Sequence, residues 1–191
     1  MTVIVNEYDA RWPEVFARLH DRVLSAVADV ALSVEHVGST SVPGLPAKAV
    51  IDMDVVVAPN DVAAGIAALE SIGYVHRGNL GIPQREAFHA PTQLPRHHLY
   101  LCPSDSPALA NHLAVRDALR TDPLKAAEYG RLKKSLAHEF HDEIDAYVEG
   151  KSAFLLALLR DAGFSESALD DIERMNVNDG PREAPSRDES S

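Results

Sequence analysis

Asp52 and Asp54 stand in the apolar run IDMDVVV at 51–57, shortly after a Gly38-Ser39 pair. Residues i and i+2 of a strand project from the same face, so both carboxylates sit side by side on a rigid scaffold. A carboxylate buried without a partner costs several kcal/mol or neutralises itself. Two arrangements meet that cost. Either a cation lies on the pair, or basic side chains such as Lys48, Arg85 or Arg96 hold it in a structural network. An all-oxygen site shared with phosphates and water suits Mg²⁺ (or Mn²⁺).

Gly38 lets backbone N–H groups approach an anion closely, and the Ser39 hydroxyl adds a donor. Taken alone the dipeptide is a simple turn. Beside paired acids it gains weight, because phosphoryl and nucleotidyl transfer need a turn that grips phosphates and carboxylates that hold metal. His97 and His98 are adjacent in a predicted strand and face opposite ways, so only one can line the site. With Ile51, Met53 and Val55 turned inward, His98 shares a face with Tyr100 and Cys102 and is the better candidate, a satisfied structural histidine being the alternative. His36 is a weaker one. Tyr129 with Lys133 and Tyr147 with Lys151 are spaced four apart on predicted helices, presenting a ring and an ammonium together, either to a nucleotide or as a solvated lysine stem lying over a ring. Arg116 and Asp117 carry the same ambiguity. No Cys/His zinc spacing, P-loop, dinucleotide-binding glycine pattern or nucleophile elbow is present in the sequence.

The elements that must position these groups follow from periodicity. Apolar residues at helical spacing predict a helix over 13–28, and alternation predicts a strand over 31–37. Pro43, Gly44 and Pro46 exclude a regular element over 39–48. Residues 50–57 form a central strand, apolar on both faces but for the aspartates. A helix over 61–72 ends at Gly73, short strands follow at 74–77, 86–90 and 97–102, and helices cover 107–120, 123–141 and 144–161. Asp122-Pro123 reads as an N-cap with proline at the first helical position. The order predicts a mixed α+β domain with a C-terminal helical layer over 1–172, and loss of apolar periodicity from 173 predicts a disordered polar tail over 173–191.

The bulk properties narrow the class. The chain has 191 residues, 46% hydrophobic and 25% charged, which suits one domain with a sizeable core. Its 18 Lys plus Arg against 29 Asp plus Glu give a net charge of -11, a field that repels phosphate backbones and argues against general nucleic-acid binding. A bound metal would still invert the local sign for a small phosphorylated ligand. No apolar run approaches the roughly 20 residues needed to cross a bilayer. The first residues lack a secretory pattern, and the single Cys102 fits a reducing compartment, so the expected location is cytoplasmic.

EHVGSTSVPGLPAK at 35–48 and IDMDVVV at 51–57 together resemble the signature of the GrpB family, within the polymerase-beta-like nucleotidyltransferase fold superfamily. The resemblance continues through Arg85, RHHLYL at 96–101, RDALR at 116–120 and the Tyr129, Lys133, Tyr147, Lys151 pattern. It implies a nucleotidyltransferase-like mixed β-sheet flanked by helices, with Gly38, Ser39 and Thr40 in the substrate-gripping turn. It also implies Asp52 and Asp54 as metal-binding acids, with Lys48, Arg85, Lys133 and Lys151 as further substrate-binding residues. In such enzymes an acceptor hydroxyl attacks the α-phosphate of a nucleoside triphosphate and pyrophosphate leaves. A third acid normally sits on a later strand, where this chain has His98, making His98 the third candidate catalytic residue. The resemblance therefore implies a Mg²⁺-dependent nucleotidyltransferase acting on an unknown small-molecule or protein acceptor. The alternative is a catalytically weak nucleotide- or phosphate-binding module that serves a partner protein.

Overall fold

The computed structural model describes residues 2–178. Helix α1 (Trp12–Val27) is preceded by Asp9, whose carboxylate accepts from the Arg11 backbone N–H at 2.9 Å. Its buried residues Trp12, Leu19, Val23 and Val27 keep helical spacing and face the sheet. Strand β1 (Ala31–Val37) leads through a single 3₁₀ turn (Ser39–Ser41) into β2 (Ile51–Val57), and α2 (Val62–Ser71) follows. Strands β3 (Val75–His76), β4 (Glu86–His89) and β5 (His97–Pro103) complete one sheet in the order β1-β2-β5-β4-β3. The β2–β5 pair is parallel and the others are antiparallel, a mixed sheet with β2 hydrogen-bonded on both edges. This is the expected α+β class with its mixed sheet.

Alternation divides β2 between two layers. Met53, Val55 and Val57 are fully buried with Leu99 and Leu101 against α1 and α2. Asp52, Asp54 and Val56 face the opposite layer, and register places Asp52 beside His98 and Asp54 beside Tyr100. That second layer is helical: α3 (Pro107–Thr121), α4 (Pro123–Glu139), α5 (Ile144–Glu149), α6 (Ser152–Asp161) and α7 (Glu166–Asn178).

Two expectations change. The helix expected over 144–161 breaks at Gly150 and Lys151, where the Gly150 N–H closes α5 on Ala146 O. A Cβ at Gly150 would come within 2.5 Å of Leu136 Cδ2, so the bend packs directly on α4. The expected break at 173 falls inside α7, whose Leu169 and Ile172 are buried with Leu159, and residues 179–191 of the expected tail lie outside the described residues. No helix among the described residues is long and apolar enough to cross a membrane.

Asp122 caps α4 as the sequence predicts, accepting from Leu124 N at 3.0 Å and Lys125 N at 3.1 Å. Asp122→Ala should therefore cost about 1 kcal/mol, read as a fall of about 2–4 °C in thermal midpoint. An unchanged midpoint contradicts the cap.

Candidate functional site

Gly38 follows β1 with φ +67° and ψ -173°, a backbone region open to glycine alone. A Cβ there would strike the Asp52 carboxylate, lying 2.8 Å from its Cγ. The missing side chain thus lets the turn close over Asp52 and brings Ser39 to the same end of the strand. The neighbouring Thr40 does not join them. It is 1% exposed, and its Oγ1 lies 3.0 Å from His36 Nε2, so it secures the turn from within and is not positioned to hold substrate. His36 in turn stacks on Phe16 at 4.4 Å between ring centroids, and burial pushes its pKa down to about 4. It is a neutral structural group.

Each aspartate meets a histidine. His98 donates its Nδ1–H to Asp52 Oδ1 at 2.8 Å, and His112 donates its Nδ1–H to Asp54 Oδ2 at 2.7 Å. Burial opposes charge on both imidazoles, but the adjoining carboxylate outweighs it and both pKa values are raised. Burial likewise opposes ionisation of Asp52, yet the hydrogen bond and charge of His98, then His112 and Lys48, hold its carboxyl below the usual range. The two acids differ in access. The Asp52 side chain is 30% exposed, whereas Asp54 is fully buried and its Oδ1 has no hydrogen-bond partner. His97, as alternation requires, faces away. It donates Nδ1–H to Pro95 O and accepts from Tyr74 Oη at 2.7 Å.

His112 belongs to a row that the sequence reading missed. Arg116, one turn further along α3, bonds Glu35 at 2.8 Å, and Arg120, another turn on, donates to Ser41 O at 2.9 Å. The signal was present, since basic residues spaced by four along a helix share one face. Arg116 also holds Asp117 at 2.7 Å, so this pair is structural.

The lysines surround the other side of the turn. Lys133 Nζ lies 4.8 Å from the Tyr129 ring centroid, while Lys151 and Lys48 lie 4.6 and 6.0 Å from that of Tyr147. Lys133 is 2% exposed and its Nζ has no hydrogen-bond partner. Burial, then repulsion by Lys151, pushes its pKa down to about 7. Burial, then Lys48, pushes Lys151 down to about 8. Burial also raises the phenols of Tyr129 and Tyr147. Mutually repelling amines held out of water favour an anion that restores their charge.

A cavity of about 690 Å³ joins these parts. Gly38, Ser39, Asp52, Tyr129 and Lys151 line it together with His112 and Arg116 of α3 and with Ile82, Pro83 and Arg85. Arg85 is 4% exposed, its guanidinium 4.4 Å from the Tyr100 ring centroid. Lys133 and Asp54 do not line it themselves, but each contacts a residue that does, Lys133 the Tyr129 ring and Asp54 the His112 imidazole.

The family profile described as GrpB protein matches residues 2–161. The chain belongs to the GrpB family. It is 36% identical over 165 residues to a UPF0157 protein of Streptomyces coelicolor, covering 83% of each chain. It is 32% identical over 149 residues to the UPF0157 protein YqkA of Bacillus subtilis, covering 78% of this chain but only 43% of that one. The crystal structure of the conserved protein GrpB from Enterococcus faecalis superposes with a TM-score of 0.74 at 34% identity, covering 88% of this chain and 99% of that one. The structure of the GLD-2/RNP-8 complex matches with a TM-score of 0.54 at 12% identity, over 94% of this chain and 70% of that one, a likeness of fold. The architecture is nucleotidyltransferase-like.

Two outcomes test the site. Gly38→Ala should lose about 2–4 kcal/mol in chemical denaturation, from backbone strain and the forced retreat of Asp52, and a loss under 0.5 kcal/mol contradicts the packing. Tripolyphosphate should bind most tightly below pH 7, where both amines are already protonated, and weaken as pH rises through 7–9, because the anion favours their charged forms. Calorimetry against Lys133→Met removes the ligand's own titration, and identical pH slopes for the two proteins refute a role for Lys133.

Proposed function

We propose that this GrpB-family protein binds a nucleoside triphosphate with Mg²⁺ or Mn²⁺ and transfers its nucleoside monophosphate to a small-molecule or protein acceptor. The observation that carries the reading is the convergence on one cavity of the Gly38-Ser39 turn, the Asp52 carboxylate and the Lys151 amine, with the buried Lys133 amine, which has no hydrogen-bond partner, against the Tyr129 ring that also lines it.

Asp52 and Asp54 supply oxygen donors of the kind a hard dication takes. Asp54 Oδ1 is buried without a hydrogen bond on the strand face that carries Asp52, and phosphate oxygens with water would complete the coordination. The acid set stops there, for no cluster of three or more His, Cys, Asp or Glu side chains suited to a metal occurs among the described residues. When bound, such an ion supplies charge stabilisation at the reacting phosphate. The protein's own groups do the rest. Ser39 and the turn orient the phosphates, while Lys151 and Lys133 neutralise the leaving pyrophosphate. His98 keeps Asp52 ionised and presents its ring beside it, at the position from which an acceptor hydroxyl could lose its proton. His112 must yield Asp54 for both acids to reach one ion.

That last requirement favours a second reading, a nucleotide- or phosphate-binding module of weak catalytic power serving a partner. In it both aspartates remain engaged by histidines, and the site recognises phosphates through Ser39 and the lysines alone. One experiment separates the two. The protein is incubated with each nucleoside triphosphate, Mg²⁺ or Mn²⁺ and a cell-extract metabolite pool, and pyrophosphate is measured. The transferase reading expects metal-dependent release that falls about 100-fold or more in Asp52→Asn and Asp54→Asn. Nucleotide binding without release under any condition leaves the binding module.

A further inference from the structure

We infer that the apolar end of the cavity is a base pocket selective for adenine, with Asn111 as the residue that reads the base and α7 as its outer wall. The inference rests on the nucleotide reading above and adds the identity of the nucleotide. Ala108, Asn111, His112, Val115 and Leu119 of α3 line the cavity at intervals of three or four, so one continuous helix face forms its floor. The eleven steps from Ala108 to Leu119, at about 1.5 Å each, make that floor about 16 Å long. Ser39 and Lys151 line the same cavity, so a ligand held there by its phosphates would lay its body along α3.

The rest of the lining from α6 and α7 is mostly apolar. Leu155 and Leu159 of α6, Phe164, and Ala168 and Ile172 of α7 line the same cavity, with the Asp171 carboxylate, paired to Arg174 at 2.7 Å, beside them. Such a slot takes a flat ring system, and a few polar groups then decide which one. Asn111 lines it, and no hydrogen bond from its side chain is formed among the described residues. A carboxamide offers one donor and one acceptor side by side. That pairing matches the N7 acceptor and N6 amino donor of adenine, whereas guanine offers two acceptors, O6 and N7, on the same edge. A purine also fills a slot of this length better than a pyrimidine. Phe164, Ala168 and Ile172 lie outside residues 2–161 matched by the family profile, so this wall is not specified by the family match.

The test compares Mg²⁺ complexes of ATP, GTP, CTP, UTP and inorganic tripolyphosphate by calorimetry on the full chain. ATP should bind about tenfold or more tightly than GTP and than tripolyphosphate. Asn111→Ala should erase the preference for ATP, and Asn111→Asp, which offers only acceptors, should shift it towards the N1–H and N2–H donors of guanine. Ala168→Trp, which fills the slot from its outer wall, should bring every nucleotide to the affinity of tripolyphosphate. Circular dichroism melts show whether each variant is folded, and the three variants act independently. Tripolyphosphate binding as tightly as every nucleotide overturns the base pocket and leaves the phosphate grip standing. A preference for ATP that survives both Asn111→Ala and Ala168→Trp overturns the placement. Failure of tripolyphosphate and all four nucleotides to bind overturns the nucleotide reading itself.

Discussion

Helix α3 is locked onto the acidic face of the sheet by three side chains spaced one turn apart, and the site depends on that contact. His112 meets Asp54, Arg116 meets Glu35, and Arg120 meets the Ser41 carbonyl. Asp54 and Glu35 are direct partners across the β1–β2 pair, where like charges repel. Without α3 the edge strand β1 and its neighbour β2 would carry an uncompensated carboxylate pair on one face of the sheet. With it, the pair becomes the anchor that sets where the cavity floor lies.

The same contact explains the unequal aspartates. Asp54 lies under α3 and is consumed in docking, whereas Asp52, one pleat nearer the start of β2, emerges beside the Gly38 turn. Gly38 matters because nothing larger than hydrogen fits between the turn and the Asp52 carboxylate. The lysines complete a polarity opposite to the chain's net negative charge. Lys48, Lys133 and Lys151 crowd tyrosine rings at the edge of the site, held partly out of water, in a protein whose overall field repels anions.

Much of this was legible along the chain. The alternation of β2, the placement of His98 on the acid face, the Asp122 cap and the succession of strands and then helices all follow from local periodicity and turn chemistry. The misses share a cause. Thr40 looked like a phosphate donor beside Ser39, but its hydroxyl turns inward to His36, a choice made by the stack of His36 on Phe16 of α1. The 144–161 helix breaks at Gly150, where the chain passes close to Leu136 of α4. Residues 173–178 stay helical in α7, whose preceding turns pack Leu169 and Ile172 on α6.

The sequence by itself determined the spacing of chemical groups: two acids on one strand face, a glycine turn before them, and ring–ammonium pairs at helical intervals. These are properties of backbone geometry within a dozen residues. Only the tertiary structure decided which groups meet. It assigned His112 to Asp54, left Asp52 open, buried Lys133 against Tyr129 and joined α3, α6 and α7 around one cavity. The His112–Asp54 pair links residues 58 apart, and it and the cavity are set by how helices pack over the sheet, which no local pattern encodes.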